Sequence, residues 1–148
     1  MNDIKLQTIY ILDIDWLDKT EYKGLSTERR KKLVEDSDKG LCNGEFFRFF
    51  IVKRGEKCVG VINMSGHGKD VVSVAPEILE EFRGRGFGEE SLRIAYSLAK
   101  ELGFREITAG IREDNLTSIN LHLKLGFKYV KNHVSKNGNV LKIYSNLL

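Results

Sequence analysis

The chain has 148 residues and a formal net charge of +3, a length that suits one domain able to bury a core without disulfide or metal staples. With 41% hydrophobic residues and a single proline, Pro76, it is too apolar for a disordered segment. No uncharged apolar run nears the ~18 residues that span a bilayer, and +3 over the whole chain is far from a nucleic-acid footprint, so neither a membrane nor a nucleic acid is an expected partner.

Met1-Asn2-Asp3-Ile4-Lys5 lacks the basic start and apolar core of a signal peptide, so a cytoplasmic location is expected. The stretch Ile4 to Ile14 reads as a strand followed by a turn. Ser26 caps a helix running to about Leu41, with Gly40 and Gly44 punctuating its end. The basic run Arg29-Arg30-Lys31-Lys32 on that helix reads as a solvated face. Strands Phe46–Lys53 and Lys57–Met64 follow, joined by a tight turn. Alternation puts Phe47 and Phe49 on one face and Phe46 and Phe50 on the other, which marks a strand buried on both sides. Ser65–Asp70 is a loop by composition. A strand from Val71 to Leu79 carries Pro76, which predicts a bulge or an interrupted pairing.

From Phe87 to Leu102 apolar residues recur at helical spacing, with Gly103 as the stop. A short strand spans Glu106–Ile111, then Asn115 or Thr117 opens a helix ended by Gly126. Strands Phe127–Val134 and Val140–Leu147 flank Asn137-Gly138, a strong hairpin signal. Strands in a run followed by a β-α-β segment predict an α/β domain over residues 1–148 with a mixed sheet and helices on its faces. Cys42 and Cys58 show no C-x-x-C spacing, and His67, His122 and His133 lack partners at metal-ligand spacing, so two reduced thiols and no metal site are expected.

The segment Phe82-Arg83-Gly84-Arg85-Gly86-Phe87-Gly88-Glu89 lies between a strand and a long helix. Its alternate glycines permit a tight turn and close approach of a ligand to the main chain. The helix N-terminus favours an anion, and Arg83 and Arg85 add two cations. Together they make a phosphate cradle. The dinucleotide fingerprint needs glycine where Glu89 stands, and no P-loop G-K-[ST] triplet is present.

Arg83, Gly86 and Gly88 fit R-x-x-G-x-G, and here the chain resembles the GCN5-related N-acetyltransferase (GNAT) superfamily, whose pyrophosphate motif is [QR]-x-x-G-x-[GA]. Asn115 through Ser118 to Lys124-Leu125-Gly126-Phe127 resembles a second block of that family. Ile78–Gly86 is similar to the branch that acetylates ribosomal-protein N-termini. The resemblance covers roughly residues 46–148. It implies a mixed, mostly antiparallel sheet splayed between the fourth and fifth strands, with residues 71–127 as the acetyl-CoA-binding core and residues 1–45 as a variable acceptor side. Acetyl-CoA would be the co-substrate and an amine the acceptor, the alternative being a catalytically silent acyl-CoA-binding module.

Within that resemblance, amides of Arg83, Gly84, Arg85, Gly86, Phe87, Gly88 and Glu89 would hold the pyrophosphate. Backbone near Ile78 and Leu79 would pair with the pantetheine arm, an amide there would face the oxyanion, and Asn115 would lie near the arm. The family's frequent tyrosine acid falls at His122 and one version of its glutamate base at Gly110, so neither role carries over. Three catalytic candidates remain. Ser118 matches the serine of the ribosomal-protein branch and would reach the thiolate, unless it only serves its helix's first turn. His122 has the intrinsic pKa for proton traffic, the alternative being a histidine packed against the sheet. Glu77 is a base acting through water, although alternation does not fix its face. Asp13, Asp15, Asp18 and Glu21 with Trp16 and Tyr22 suit either a cationic amine or an ordinary acidic turn, of which the turn is preferred. The Asn137-Gly138 hairpin offers a contact for a homodimer.

Overall fold

A computed structural model describes residues 3–148; Met1 and Asn2 of the expected N-terminal region lie outside the described part. Strand β1 (Ile4–Thr8) opens the chain, and residues Ile11–Lys19 and Glu21–Gly24 then form two 3-10 segments rather than a plain turn. Thr20 caps the second by accepting a bond from the Tyr22 amide. Helix α1 (Thr27–Lys39) begins at Ser26, whose hydroxyl accepts from the Arg29 amide, and stops at Gly40 in the left-handed region, where glycine carries no steric penalty. The helix therefore ends short of Leu41, which with Cys42 forms the two-residue strand β2.

Strands β3 (Glu45–Arg54), β4 (Lys57–His67) and β5 (Val71–Ile78) form an antiparallel meander. The expected loop at Ser65–Asp70 shrinks, because Ser65, Gly66 and His67 stay paired with Ser73, Val72 and Val71. Helix α2 (Phe87–Glu101), strand β6 (Glu106–Arg112), helix α3 (Leu116–Lys124) and strands β7 (Lys128–Val134) and β8 (Val140–Leu147) complete the chain. Asn115, rather than Thr117, is the N-cap of α3, its Oδ1 accepting from the Ser118 amide.

The sheet order is β1-β3-β4-β5-β6-β8-β7, with β2 on the side of β3. Every pairing is antiparallel except β5 with β6, and that one holds only from Val71–Ser73 against Glu106–Thr108. Beyond it β6 stays with β8 as far as Arg112 while β5 stays with β4 as far as Ile78. The sheet splays there, as expected. Pro76 causes no bulge against β4, where the register is unbroken. The interruption is on the β6 side, where a missing N–H costs no ladder bond.

Alternation along β3 and β4 feeds two cores. Phe50, Val52, Ile62 and Met64 join Leu92 and Ala95 of α2 and Ile119 of α3, whereas Phe49, Ile51 and Val61 pack with Leu17 and Val34. Phe46 and Phe47 follow the same division, so β3 is covered on both faces. The basic run on α1 departs from expectation at one residue. Arg30 is only 7% exposed and donates to the carbonyls of Ile14, Lys23 and Leu25 and to Asp18. It binds the 3-10 strap (residues 11–24) to α1. Among the described residues, no helix is long and apolar enough to cross a membrane, and no His/Cys/Asp/Glu group could hold a metal ion.

Candidate active site

The splay opens a cleft of ≈ 770 Å³ between the 3-10 strap, the end of β5, the glycine loop and the start of α3. The amide of Leu79 donates to the Val59 carbonyl at 2.9 Å, which makes Leu79 a hydrogen-bonded position of the β4 ladder. Because peptide groups alternate in direction along a strand, Ile78 turns its amide and carbonyl away from β4, into the gap left by β6. Leu79 does not. Its amide is spent on Val59, its carbonyl accepts from the Phe82 amide, and its side chain lines a neighbouring hollow with Lys19, Glu80 and Glu81. Of the expected Ile78–Leu79 pair, Ile78 alone presents backbone to the cleft.

Glycine allows this approach. A Cβ on Gly60 would stand 2.2 Å from the Glu77 carbonyl oxygen, so the close meeting of β4 and β5 behind the cleft depends on its absence. The opposite wall carries no such steric demand. A Cβ on Gly88 would sit 3.6 Å from Ile78 Cγ1 and 3.7 Å from Leu121 Cδ2, narrowing the groove between β5 and α3.

Gly86 is the N-cap of α2 and has no side chain with which to cap. The first-turn amides of Phe87, Gly88 and Glu89 are therefore donors without an intrahelical partner, at the positive end of the helix dipole. This arrangement suits a phosphate-bearing ligand. The amide of Arg83 is excluded from that set, since it donates to the Glu80 carbonyl. The Glu89 side chain faces two cations, Lys124 at 2.7 Å and Arg93 at 3.2 Å, and their hydrogen bonds hold its carboxyl below the usual range. Arg83 lines the cleft and donates from Nε to the Ile78 carbonyl at 2.9 Å. Arg85 does not line it, and its guanidinium lies over the Phe82 ring.

Glu77 lies in the cleft, on the face of β5 covered by the 3-10 strap. Both of its carboxylate oxygens accept from the Glu21 amide, at 3.1 and 3.2 Å. Burial raises its pKa, against the pull of that hydrogen bond. Beside it the Tyr22 hydroxyl accepts from Asn63 at 2.7 Å, and burial pushes its pKa up to about 12. Asp18, Lys19, Glu21 and Lys23 complete this wall, so its charge is mixed rather than uniformly acidic.

Asn115 and Ser118 line the cleft at the start of α3. His122 does not. It is 1% exposed, its Nδ1 lies 2.7 Å from the Ser118 carbonyl, its ring packs edge-on against Phe127, and among the described residues Nε2 has no hydrogen-bond partner. Burial lowers its pKa, leaving a neutral imidazole in the core with no path of its own to the cleft. Its one link is the Ser118 hydroxyl, 3.4 Å from Nδ1. Cleft residues that sequence reasoning missed include Phe82 and Thr117, each beside a motif position, and Leu121, one helical turn beyond Thr117.

Residues 10–127 match the acetyltransferase (GNAT) family. The chain belongs to that family. It is 25% identical over 122 residues to the uncharacterized N-acetyltransferase YobR of Bacillus subtilis (strain 168), an alignment covering 80% of this chain and 47% of that protein. The chain thus spans about half the length of the curated relative it matches. GNAT structures share its fold across the whole chain. RimL, a ribosomal L7/L12 alpha-N-protein acetyltransferase in complex with coenzyme A, superposes with a TM-score of 0.83 at 15% identity, covering 100% of this chain and 96% of that one. A spermidine N-acetyltransferase SpeG chimera from Vibrio cholerae and hSSAT gives 0.78 at 16% identity over 98% and 95%. The microcin C7 self immunity acetyltransferase MccE in complex with acetyl-CoA and AMP gives 0.79 at 15% identity over 100% and 94%.

Proposed function

We propose that the protein transfers an acetyl group from acetyl-CoA to a primary amine, by direct attack of the amine on the thioester. The observation that carries this reading is the splayed β5 edge meeting an uncapped, glycine-lined helix N-terminus in one cleft. RimL and MccE, which share the fold, are described with coenzyme A and acetyl-CoA bound. In this reading residues 71–127 form the donor half, with the amides of Phe87, Gly88 and Glu89 facing the pyrophosphate. Residues up to 45 supply the acceptor wall, and the chain works as one domain.

The pantetheine arm pairs with the free edge of β5, and the Ile78 amide faces the oxygen on which negative charge develops. An attacking primary amine must be neutral, and its pKa runs from about 8 for a protein N-terminus to about 10.4 for a lysine-type amine. It therefore gives up a proton, and Glu77 is the group on the acceptor face placed to take it, directly or through water. The C–N bond forms as the C–S bond breaks, and the departing thiolate takes a proton at the α3 end, where the Ser118 hydroxyl stands. His122 takes no direct part, being held in the core. The acceptor is a small cationic amine or a protein N-terminus, for which Glu21 and Glu77 offer carboxylates beside Lys19 and Lys23.

The test is release of free CoA from acetyl-CoA, read with a thiol reagent, in the presence of polyamines, aminoglycosides or basic N-terminal peptides. Amine-dependent release is expected. Its kcat/KM should rise with pH along a limb displaced above the ordinary carboxylate range, because burial raises Glu77; Glu77→Gln should remove that limb. Saturable acetyl-CoA binding without release under any amine would instead favour a silent acyl-CoA-binding module.

A further inference from the structure

Arg83 occupies a position that a phosphate-binding role alone does not explain. Its Nε–H is bonded to the Ile78 carbonyl at 2.9 Å, the carbonyl that alternation directs into the cleft. Ile78 is the last residue of β5. Past the splay it has no strand on its outer side, so this edge would be held from one side only without the arginine. The turn that brings Arg83 back is itself well defined. The Phe82 amide donates to the Leu79 carbonyl and the Arg83 amide to the Glu80 carbonyl. The guanidinium forks beyond Nε, and among the described residues its terminal nitrogens make no hydrogen bond to the protein. The loop that carries it leads through Gly84 and Gly86 into the uncapped start of α2.

We propose that Arg83 is a positioning residue that joins the two ends of the donor site: Nε fixes the Ile78 segment whose amide faces the thioester, while the terminal nitrogens face the pyrophosphate. Occupation of the phosphate end then steadies the reacting end through one side chain. The proposal rests on the acetyl-transfer reading, and it separates two properties that a single phosphate contact would merge. In glutamine, Nε2 is as many bonds from the backbone as Nε in arginine, so Arg83→Gln keeps a donor at the Ile78 carbonyl and removes the charge. Lysine keeps the charge but places a methylene at that point, so Arg83→Lys does the reverse.

Steady-state kinetics with acetyl-CoA and with S-acetylpantetheine, which carries no phosphate, distinguish the roles. Expected for Arg83→Lys is a fall in kcat of about fivefold to tenfold with both donors, the scale of one lost hydrogen bond at an exposed site. Expected for Arg83→Gln is a higher KM for acetyl-CoA with S-acetylpantetheine kinetics close to those of the native chain. Thermal unfolding of both variants near the native midpoint would set misfolding aside. If Arg83→Lys left S-acetylpantetheine turnover untouched while Arg83→Gln raised only the acetyl-CoA KM, Arg83 would be a phosphate ligand alone and the proposal would fall. Should the native chain bind acetyl-CoA yet acetylate nothing, the functional reading fails separately. Titration of the Ile78 amide resonance with pantetheine then decides the contact, supporting it if Lys weakens binding and Gln does not, and overturning it if neither does. A native chain that binds neither ligand overturns both.

Discussion

Gly60→Ala probes the meeting of β4 and β5 that shapes the cleft. Glycine inside a strand ordinarily weakens it, so alanine at an open site would stabilise by roughly 0.5–1 kcal/mol. At Gly60 the added methyl would stand 2.2 Å from the Glu77 carbonyl oxygen and 3.0 Å from Ile78 Cα. Both neighbours are backbone, so no rotamer relieves the overlap and the strands must part. Overpacking of this kind costs about 1–3 kcal/mol, equivalent to a midpoint lowered by roughly 3–10 °C in a chain of this size. Parting the strands also turns the Ile78 amide, so acetyl transfer should fall at temperatures where the variant is still folded. Differential scanning calorimetry and urea unfolding, followed by steady-state assay well below the midpoint, would measure both effects. An unchanged or raised midpoint would refute the reasoning, since it would show that the glycine answers no steric demand.

Gly86→Glu should lower acetyl-CoA affinity by about 100-fold or more in titration calorimetry, as a carboxylate would face the pyrophosphate; its left-handed backbone (φ 82°) adds a stability loss of about 1–2 kcal/mol. Arg30→Met should cost about 2–4 kcal/mol by stranding three carbonyls and expose residues 11–24 to protease before the rest of the chain unfolds; uniform protection would contradict the clamp. His122 has a pKa lowered by burial, so below about 6.5 the unfolded chain binds more protons than the folded one and stability drops as pH falls. His122→Phe should stay within about 1 kcal/mol of native at pH 8 and lose less stability than native at pH 5.5. Equal acid losses in the two proteins would count against a neutral buried imidazole.

Features enforced locally were legible in the sequence. Ser26, Gly40, Gly103 and Gly126 mark helix boundaries because cap geometry depends on a few adjacent residues. The hairpin at Asn137-Gly138 was also legible, although only Gly138 takes a positive φ and the bond from its amide to the Ser135 carbonyl makes a three-residue loop. The motif arginines and glycines singled out a candidate loop because glycine and charge cluster nowhere else so densely, and of its two arginines only Arg83 lines the cleft. What stayed hidden depends on contacts distant in sequence. Arg30 looks like its basic neighbours, and only the return of residues 14–25 to α1 buries it. His122 sits at helical spacing from Ser118, yet packing against Phe127 turns it inward. Glu77 and Ile78 are adjacent, and the strand period assigned them opposite faces without saying which one the strap would cover. That required knowing where residues 11–24 pack, just as the free backbone edge at Ile78 required knowing where β6 leaves β5.

The two cores on either side of β3 and β4 have an evolutionary consequence. Leu17, Val34, Phe49, Ile51 and Val61 support the strap and α1, whereas Phe50, Val52, Ile62, Met64 and Phe87 support the glycine loop and α2. Substitutions on opposite sides of the sheet share few neighbours, so their energetic effects add rather than compound. On the proposed division of the cleft, the strap could therefore be rewritten for a new acceptor while the glycine-loop side stays as it is, provided the apolar anchor at Leu17 and the clasp of Arg30 survive. A lineage with this layout can diversify what it modifies without re-inventing the source of the group it transfers.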